Sequence, residues 1–180
     1  MTLPTSQTEL DSLRTLDPQA IGAVYDSYYP DVYRFVRYRL DDETTAEDIA
    51  SEVFVRLLEA VKSGQAPRTN LKAWLLGTAS HIVTDHFRRA YRRPTAELPE
   101  TLPDGQPGPV LDVEERERAH HLKAALAKLT EEQQNVLTLR FGQGYSLEET
   151  AGLLKKNVNA VKQLQFRALA ALNRSAGETL

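Results

Sequence analysis

At 180 residues the chain has room for one ordinary domain or two small ones. Hydrophobic residues make up 41% of it, which excludes wholesale disorder; the absence of cysteine excludes a disulfide framework or a cysteine-based zinc site and fits a reducing cytoplasm. The net charge of −3 gives no bulk electrostatic argument for a free-standing nucleic-acid binder.

Residues 1–17 are polar and lack an apolar signal core, so they read as an N-terminal tail. No run approaches the ~18 apolar residues of a membrane span, and the expectation is a soluble cytoplasmic protein. Asp17-Pro18 is an N-cap followed by proline at the first helical position. Ile21, Val24, Tyr25, Tyr28, Val32, Phe35 and Val36 then recur at three- and four-residue steps, an amphipathic stripe in which Pro30 should cause a kink or a split. Asp41 to Thr44 is a turn, and Thr44 or Thr45 can cap a second helix with Ile49, Val53, Phe54, Leu57, Leu58 and Val61 inward. Ser63-Gly64 ends it. A third helix starts near Leu71, with Trp74 assigned to the core, and finishes in Arg88-Arg89-Ala90-Tyr91-Arg92-Arg93.

Residues 94–114 hold five prolines and two glycines, so no regular helix survives there. This linker is long enough for two domains, 18–93 and 115–180, to sit well apart. Beyond it, Leu122, Ala125, Leu126 and Leu129 mark a helix. Thr130-Glu131-Glu132-Gln133 and Ser146-Leu147-Glu148-Glu149 are capping boxes that open two more, with Gly142 and Gly144 between them. Asn157 can cap a last helix that runs to about Arg174. The fold class is therefore all-α, two small helical domains joined by a proline-rich linker.

Charge alternates along this frame. Residues 41–59 and 94–117 each sum to −6, residues 81–93 to +3 and residues 155–174 to +5. Basic stretches can meet phosphates. Ala151, Val161 and Leu164 are spaced as in a helix-turn-helix, where a small residue lets two helices cross and two apolar residues dock the second on the first. The free face of that second helix offers Lys162, Gln163, Phe166 and Arg167, side chains able to hold phosphates or read base edges. Lys155 stands where such turns usually place glycine to reach positive φ. Arginines and an aromatic interleave at 88–93, a mixture that suits phosphate tracking and base stacking. His81, Asp85 and His86 lack a closing metal ligand, and no Gly-rich phosphate loop or nucleophile–base set occurs. No catalytic residue, metal or cofactor is expected.

Taken together, the two halves resemble a known family. Tyr25 to Leu40, Ala46-Glu47-Asp48-Ile49-Ala50-Ser51-Glu52-Val53-Phe54, Trp74-Leu75-Leu76-Gly77-Thr78-Ala79 and Asp85 with Arg88-Arg89 resemble region 2 of extracytoplasmic-function (ECF) sigma factors of the sigma-70 family. Leu129 to Gln133, Arg140-Phe141, Tyr145 to Ala151 and Val161-Lys162 resemble region 4. The resemblance implies a promoter-reading subunit of RNA polymerase. It assigns Asp48, Glu52, Phe54 and Arg56 to the β′ clamp helices of the core enzyme. His81, Asp85, Arg88, Arg89, Tyr91 and Arg92 go to the −10 element, and Lys162, Gln163, Phe166 and Arg167 to the −35 element, with the helix-turn-helix docked on the β flap. It adds an anti-sigma factor as a further partner. Three positions depart from the family pattern: Leu58 stands for a frequent tryptophan, His81 for a frequent asparagine, and Gln163-Leu164-Gln165 for a serine- and arginine-rich run.

Two other readings stay open on the residues alone. One is a stand-alone helix-turn-helix regulator with residues 18–93 as a sensor. The other is a helical adaptor that mimics these surfaces. Core-dependent, promoter-specific transcription separates the first reading from both.

Overall fold

The computed structural model describes residues 7–92 and 112–177. Among them are eight α-helices and one π-helical turn, and no strand, as the periodicity requires. The proline-rich stretch falls on 93–111, outside the described residues.

Part of the expected tail is helical. Gln7–Arg14 forms α1, and its Leu10 and Leu13 are buried in the core of the first helical unit. Two leucines three residues apart carry too little periodicity to announce a helix, and burial supplies what propensity does not. Asp17 caps α2 (Pro18–Arg37) by accepting the Gln19 N–H at 3.2 Å, with Pro18 at the first position. Of the kink or split expected at Pro30, the split does not occur: α2 runs through it. Proline withdraws its bond from the carbonyl of Asp26, and both residues face solvent, so water can serve that carbonyl.

The cap of α3 (Glu43–Lys62) is Asp42, not Thr44 or Thr45. Its carboxylate accepts the Thr45 N–H at 3.3 Å and also the Thr45 hydroxyl. These bonds, the hydroxyl's first, hold the Asp42 carboxyl below the usual carboxylate range. Ser63 and Gly64, the latter at φ +74, end the helix. Asn70 starts α4 (Leu71–Arg92) by accepting the Ala73 N–H. Val24, Val32, Phe35 and Val36 of α2, Ile49, Val53, Phe54 and Leu57 of α3, and Leu71, Leu75, Ala79 and Val83 of α4 make the first core, with Trp74 half-buried against it.

In the second unit α5 (Val113–Ala127) buries Leu126 but leaves Leu122 exposed. Both capping boxes form as read: Thr130 with Gln133 opens α6 (Glu131–Leu137), and Ser146 with Glu149 opens α7 (Leu147–Leu154). A π-helical turn, Thr138–Gly142, follows α6. Lys155 takes the left-handed conformation, φ 55, that its place in the turn demands. Asn157 then caps α8 (Val158–Gly177) by accepting the Ala160 N–H at 2.8 Å. Val136, Ala151 and Val161 are buried together with Leu164 packed beside them, the helix-turn-helix arrangement.

The linker leaves room for separated domains, yet the two units pack directly on each other. Leu139 of the π turn is buried in the first unit's core, with Tyr145, Leu153 and Leu154 behind it. Tyr38 of the first unit joins the cluster of Leu126, Leu137 and Ala168. The Gln143 amide donates to the Asp31 carbonyl (2.6 Å), and Lys72 lies 2.9 Å from the Asp31 carboxylate and 4.9 Å from the centre of the Tyr145 ring. Lys123 donates to the Leu40 carbonyl (2.9 Å), and Asp41 gathers Lys123 (3.3 Å) and His120 (2.8 Å). Apolar burial thus closes the seam, and polar pairs set its register.

Candidate nucleic-acid interface

Three faces carry the residues singled out in the sequence. On α3, Asp48 is exposed and Glu52 half-exposed, with Arg56 holding Glu52 at 3.3 Å. Phe54 is not on this surface. It is only 8% exposed and packs edge-on against Tyr25 (ring centres 4.9 Å) and beside Tyr29. Phe54 therefore supports the face from beneath, while Tyr25 and Val55 present the apolar surface there. That inward position is the one its helical spacing with Ile49, Val53 and Leu57 predicts, because positions 53 and 54 both fall on the buried side of a helix with 3.6 residues per turn.

On α4, His81, Asp85, Arg88, Arg89, Tyr91 and Arg92 are all exposed. Asp85 lies 3.8 Å from Arg88, a loose pair that leaves the guanidinium available. His86 turns inward instead. Burial lowers its pKa, with the Arg89 charge adding to that and Asp42 opposing.

On α8, Lys162, Gln163, Phe166 and Arg167 are all exposed, Phe166 at 76%. Gln165, between them in sequence, faces back and accepts the Arg140 Nε–H at 3.0 Å. Arg140 in turn donates to the Tyr145 carbonyl, tying the π turn to the helix-turn-helix. A large exposed aromatic between two cations contributes nothing to the core and fits a partner surface.

The structure also brings in residues that sequence reasoning missed. The start of α6 lies over the middle of α4. Glu131 sits 3.1 Å from His81 Nδ1 and accepts the Ser80 hydroxyl at 2.9 Å, and Asn135 is 2.7 Å from the same hydroxyl. Ser80 is buried by this contact with the second unit. Arg39, just past the end of α2, lies behind Thr84 on the same side. Nothing local marks Ser80, Thr84, Arg39 or Glu131. Glu131 is already explained as part of a capping box, and its contact with α4 arises only when the units meet.

The class of molecule is now defined: two helical units, one acidic face, two basic faces on different units, and a helix-turn-helix. Comparison with known proteins agrees. Residues 24–93 match the family model of sigma-70 region 2, and residues 125–174 that of sigma-70 region 4. The ECF RNA polymerase sigma factor BldN of Streptomyces coelicolor is 36% identical over 169 residues, which cover 88% of this chain and 61% of that protein. The ECF sigma factor SigX of Bacillus subtilis is 33% identical over 157 residues, 84% of this chain and 80% of that one. The sigma factor RpoE of Bartonella quintana, solved with the anti-sigma factor NepR, shares the fold with a TM-score of 0.54 at 20% identity, over 87% of this chain and 96% of that one.

The chain belongs to the sigma-70 family and, within it, to the ECF sigma factors. It is a factor for promoter-directed transcription initiation and not an enzyme. No helix among the described residues is long and apolar enough to cross a membrane.

Proposed function

We propose that this sigma factor docks on the β′ clamp helices of core RNA polymerase through α3, reads the −10 element with the C-terminal half of α4, and reads the −35 element with α8 while the second unit sits on the β flap. The observation that carries this division is the separation of charge. Asp48 and Glu52 form an acidic face for a protein partner, and the arginines of α4 and the cations of α8 stand on different units, as two separate contacts along a duplex require. In the free chain α6 buries Ser80 and sets Glu131 against His81 while the rest of the α4 face stays exposed, so the second unit crowds the first of the DNA faces until core enzyme draws the units apart. The free chain is the resting form, a partner of the kind seen with RpoE can hold it, and its working compartment is the cytoplasm, where the polymerase is.

The test is reconstitution. Purified chain with core enzyme should start transcription at specific promoters, and Asp48→Arg with Glu52→Arg should abolish core binding in a pull-down while leaving helicity intact. The free chain should hold duplex DNA weakly at physiological salt, through α8 alone. Tight promoter binding without core, and no core-dependent transcription, would instead make it a stand-alone regulator.

A further inference from the structure

Arg39 is the one charged side chain among the described residues that the fold buries, at 2% exposure. Its Nη2 makes a long bond to the Thr84 hydroxyl, 3.4 Å, while Nε and Nη1 reach no partner among the described residues. Burial lowers its pKa to about 10, with Glu131 pulling the other way, so it stays charged at neutral pH. A buried cation without an anion in contact is costly, and native folds rarely leave one without a reason.

Its position supplies a reason. Thr84 lies one helical turn from both Ser80 and Arg88, so the guanidinium joins the face from which α4 presents His81 and Arg88. It lines a cleft of about 670 Å³ between the two units, together with Arg88, Arg92 and a single acid, Glu131. The second unit thus sets one carboxylate on a face rich in donors, held there by Ser80 and His81.

We propose that Arg39 contacts a backbone phosphate of the promoter strand opened at the −10 element, and that Glu131, the one acid lining the same cleft, repels that phosphate in the free chain. The inference rests on the reading of α4 as the −10 face. A phosphodiester oxygen gives a guanidinium charge-assisted bonds that neither Thr84 nor a neutral cleft wall can give. When α6 withdraws, the cleft loses its one carboxylate, and the two Arg39 nitrogens without partners can take an anion in its place. Such a contact positions the strand without reading its sequence.

The experiment uses holoenzyme assembled from the full chain, with open-complex affinity measured against salt on promoters that differ in the −10 element. Arg39→Gln should weaken the complex about tenfold or more on every −10 variant. It should also flatten the log–log salt slope by about one unit, and Arg39→Lys should keep most of that slope. In the free chain, Glu131→Gln should raise affinity for a labelled single-stranded −10 oligonucleotide, and adding Arg39→Gln should cancel the gain. An unchanged slope, or a loss confined to one −10 sequence, overturns the proposal. Thermal melts and core affinity equal to wild type separate a lost contact from a lost fold. If Arg39→Gln folds poorly, the oligonucleotide measurement decides: no gain from Glu131→Gln overturns the proposal as well. Wild-type holoenzyme without promoter-specific transcription would sink the −10 reading itself. That outcome is distinct from a working wild type matched by a working Arg39→Gln.

Discussion

Gly142→Ala should open the seam between the two units while leaving each of them folded. Gly142 ends the π turn directly beneath the Tyr38 ring. An added Cβ would lie 2.9 Å from Cδ2, 3.0 Å from Cγ and 3.3 Å from Cε2 of that ring. Cγ is the root of the ring and cannot swing away as a flexible tip could, and Tyr38 is itself packed against Leu126, Leu137 and Ala168. Overpacking of this kind costs about 1–3 kcal/mol. Gly142 is not among the glycines at positive φ, so alanine fits its backbone and the penalty comes from the ring alone. The usual gain of about 0.4–1 kcal/mol from Gly→Ala acts through the unfolded chain. It is common to the open and closed forms and cancels from the opening equilibrium. That equilibrium should therefore shift toward the open form by about 5- to 150-fold. The assay is energy transfer between dyes on α1 and the end of α8, read beside core-enzyme affinity. Distance and core affinity should rise together. Unchanged transfer and unchanged affinity would refute the claim that this contact holds the chain closed.

Four further outcomes follow from the same geometry. Val161→Ala should cost the second unit about 1.5–3 kcal/mol in a thermal melt, since Val161 is fully buried between α6 and α7. Gln163→Ala, fully on the exposed face, should leave that melt unchanged and alter which −35 variants are accepted in a library selection, by about 1–3 kcal/mol of discrimination. Asp42→Ala should lose about 0.5–2 kcal/mol of stability through the α3 cap. Because the folded Asp42 carboxyl titrates below its unfolded value, its contribution is present above pH ~4 and fades as pH falls through the folded pKa. His86 has the same sign for a different reason. Its folded pKa is lowered, so below about pH 6.5 the unfolded chain binds more protons and stability drops as pH falls; His86→Gln should flatten that part of a urea-midpoint profile, and an unaltered profile would remove His86 as the cause.

How much of this was legible in the sequence depends on the range of each interaction. The caps at Asp17, Thr130, Ser146 and Asn157 join groups two or three residues apart, and each forms as its residue type requires. The helix-turn-helix spacing of Ala151, Val161 and Leu164, the positive φ of Lys155 and the exposed face of α8 follow from helical geometry over one hairpin. The alternation of charge survives as three separate faces because charged side chains stay at the surface in almost any packing. Near misses were also local: Asp42 instead of Thr44 or Thr45 as a cap, an unbroken helix at Pro30, and a short α1 whose stability comes from burying Leu10 and Leu13.

The closed seam is of a different kind. Gln143 reaches Asp31 across 112 positions of sequence, Lys123 reaches Leu40 across 83, and Ser80 reaches Glu131 across 51. No periodicity or cap relates such residues, because their approach depends on how two helical units meet after each has buried its own apolar stripe. Sequence alone therefore determined the helices from α2 onward, four of their caps, the family and the two basic faces. Only the tertiary structure decided that Arg39 is buried behind Thr84 and that α6 covers the middle of α4. Those are consequences of docking, and docking is set by shape and apolar area summed over both units, which no stretch of the chain carries alone.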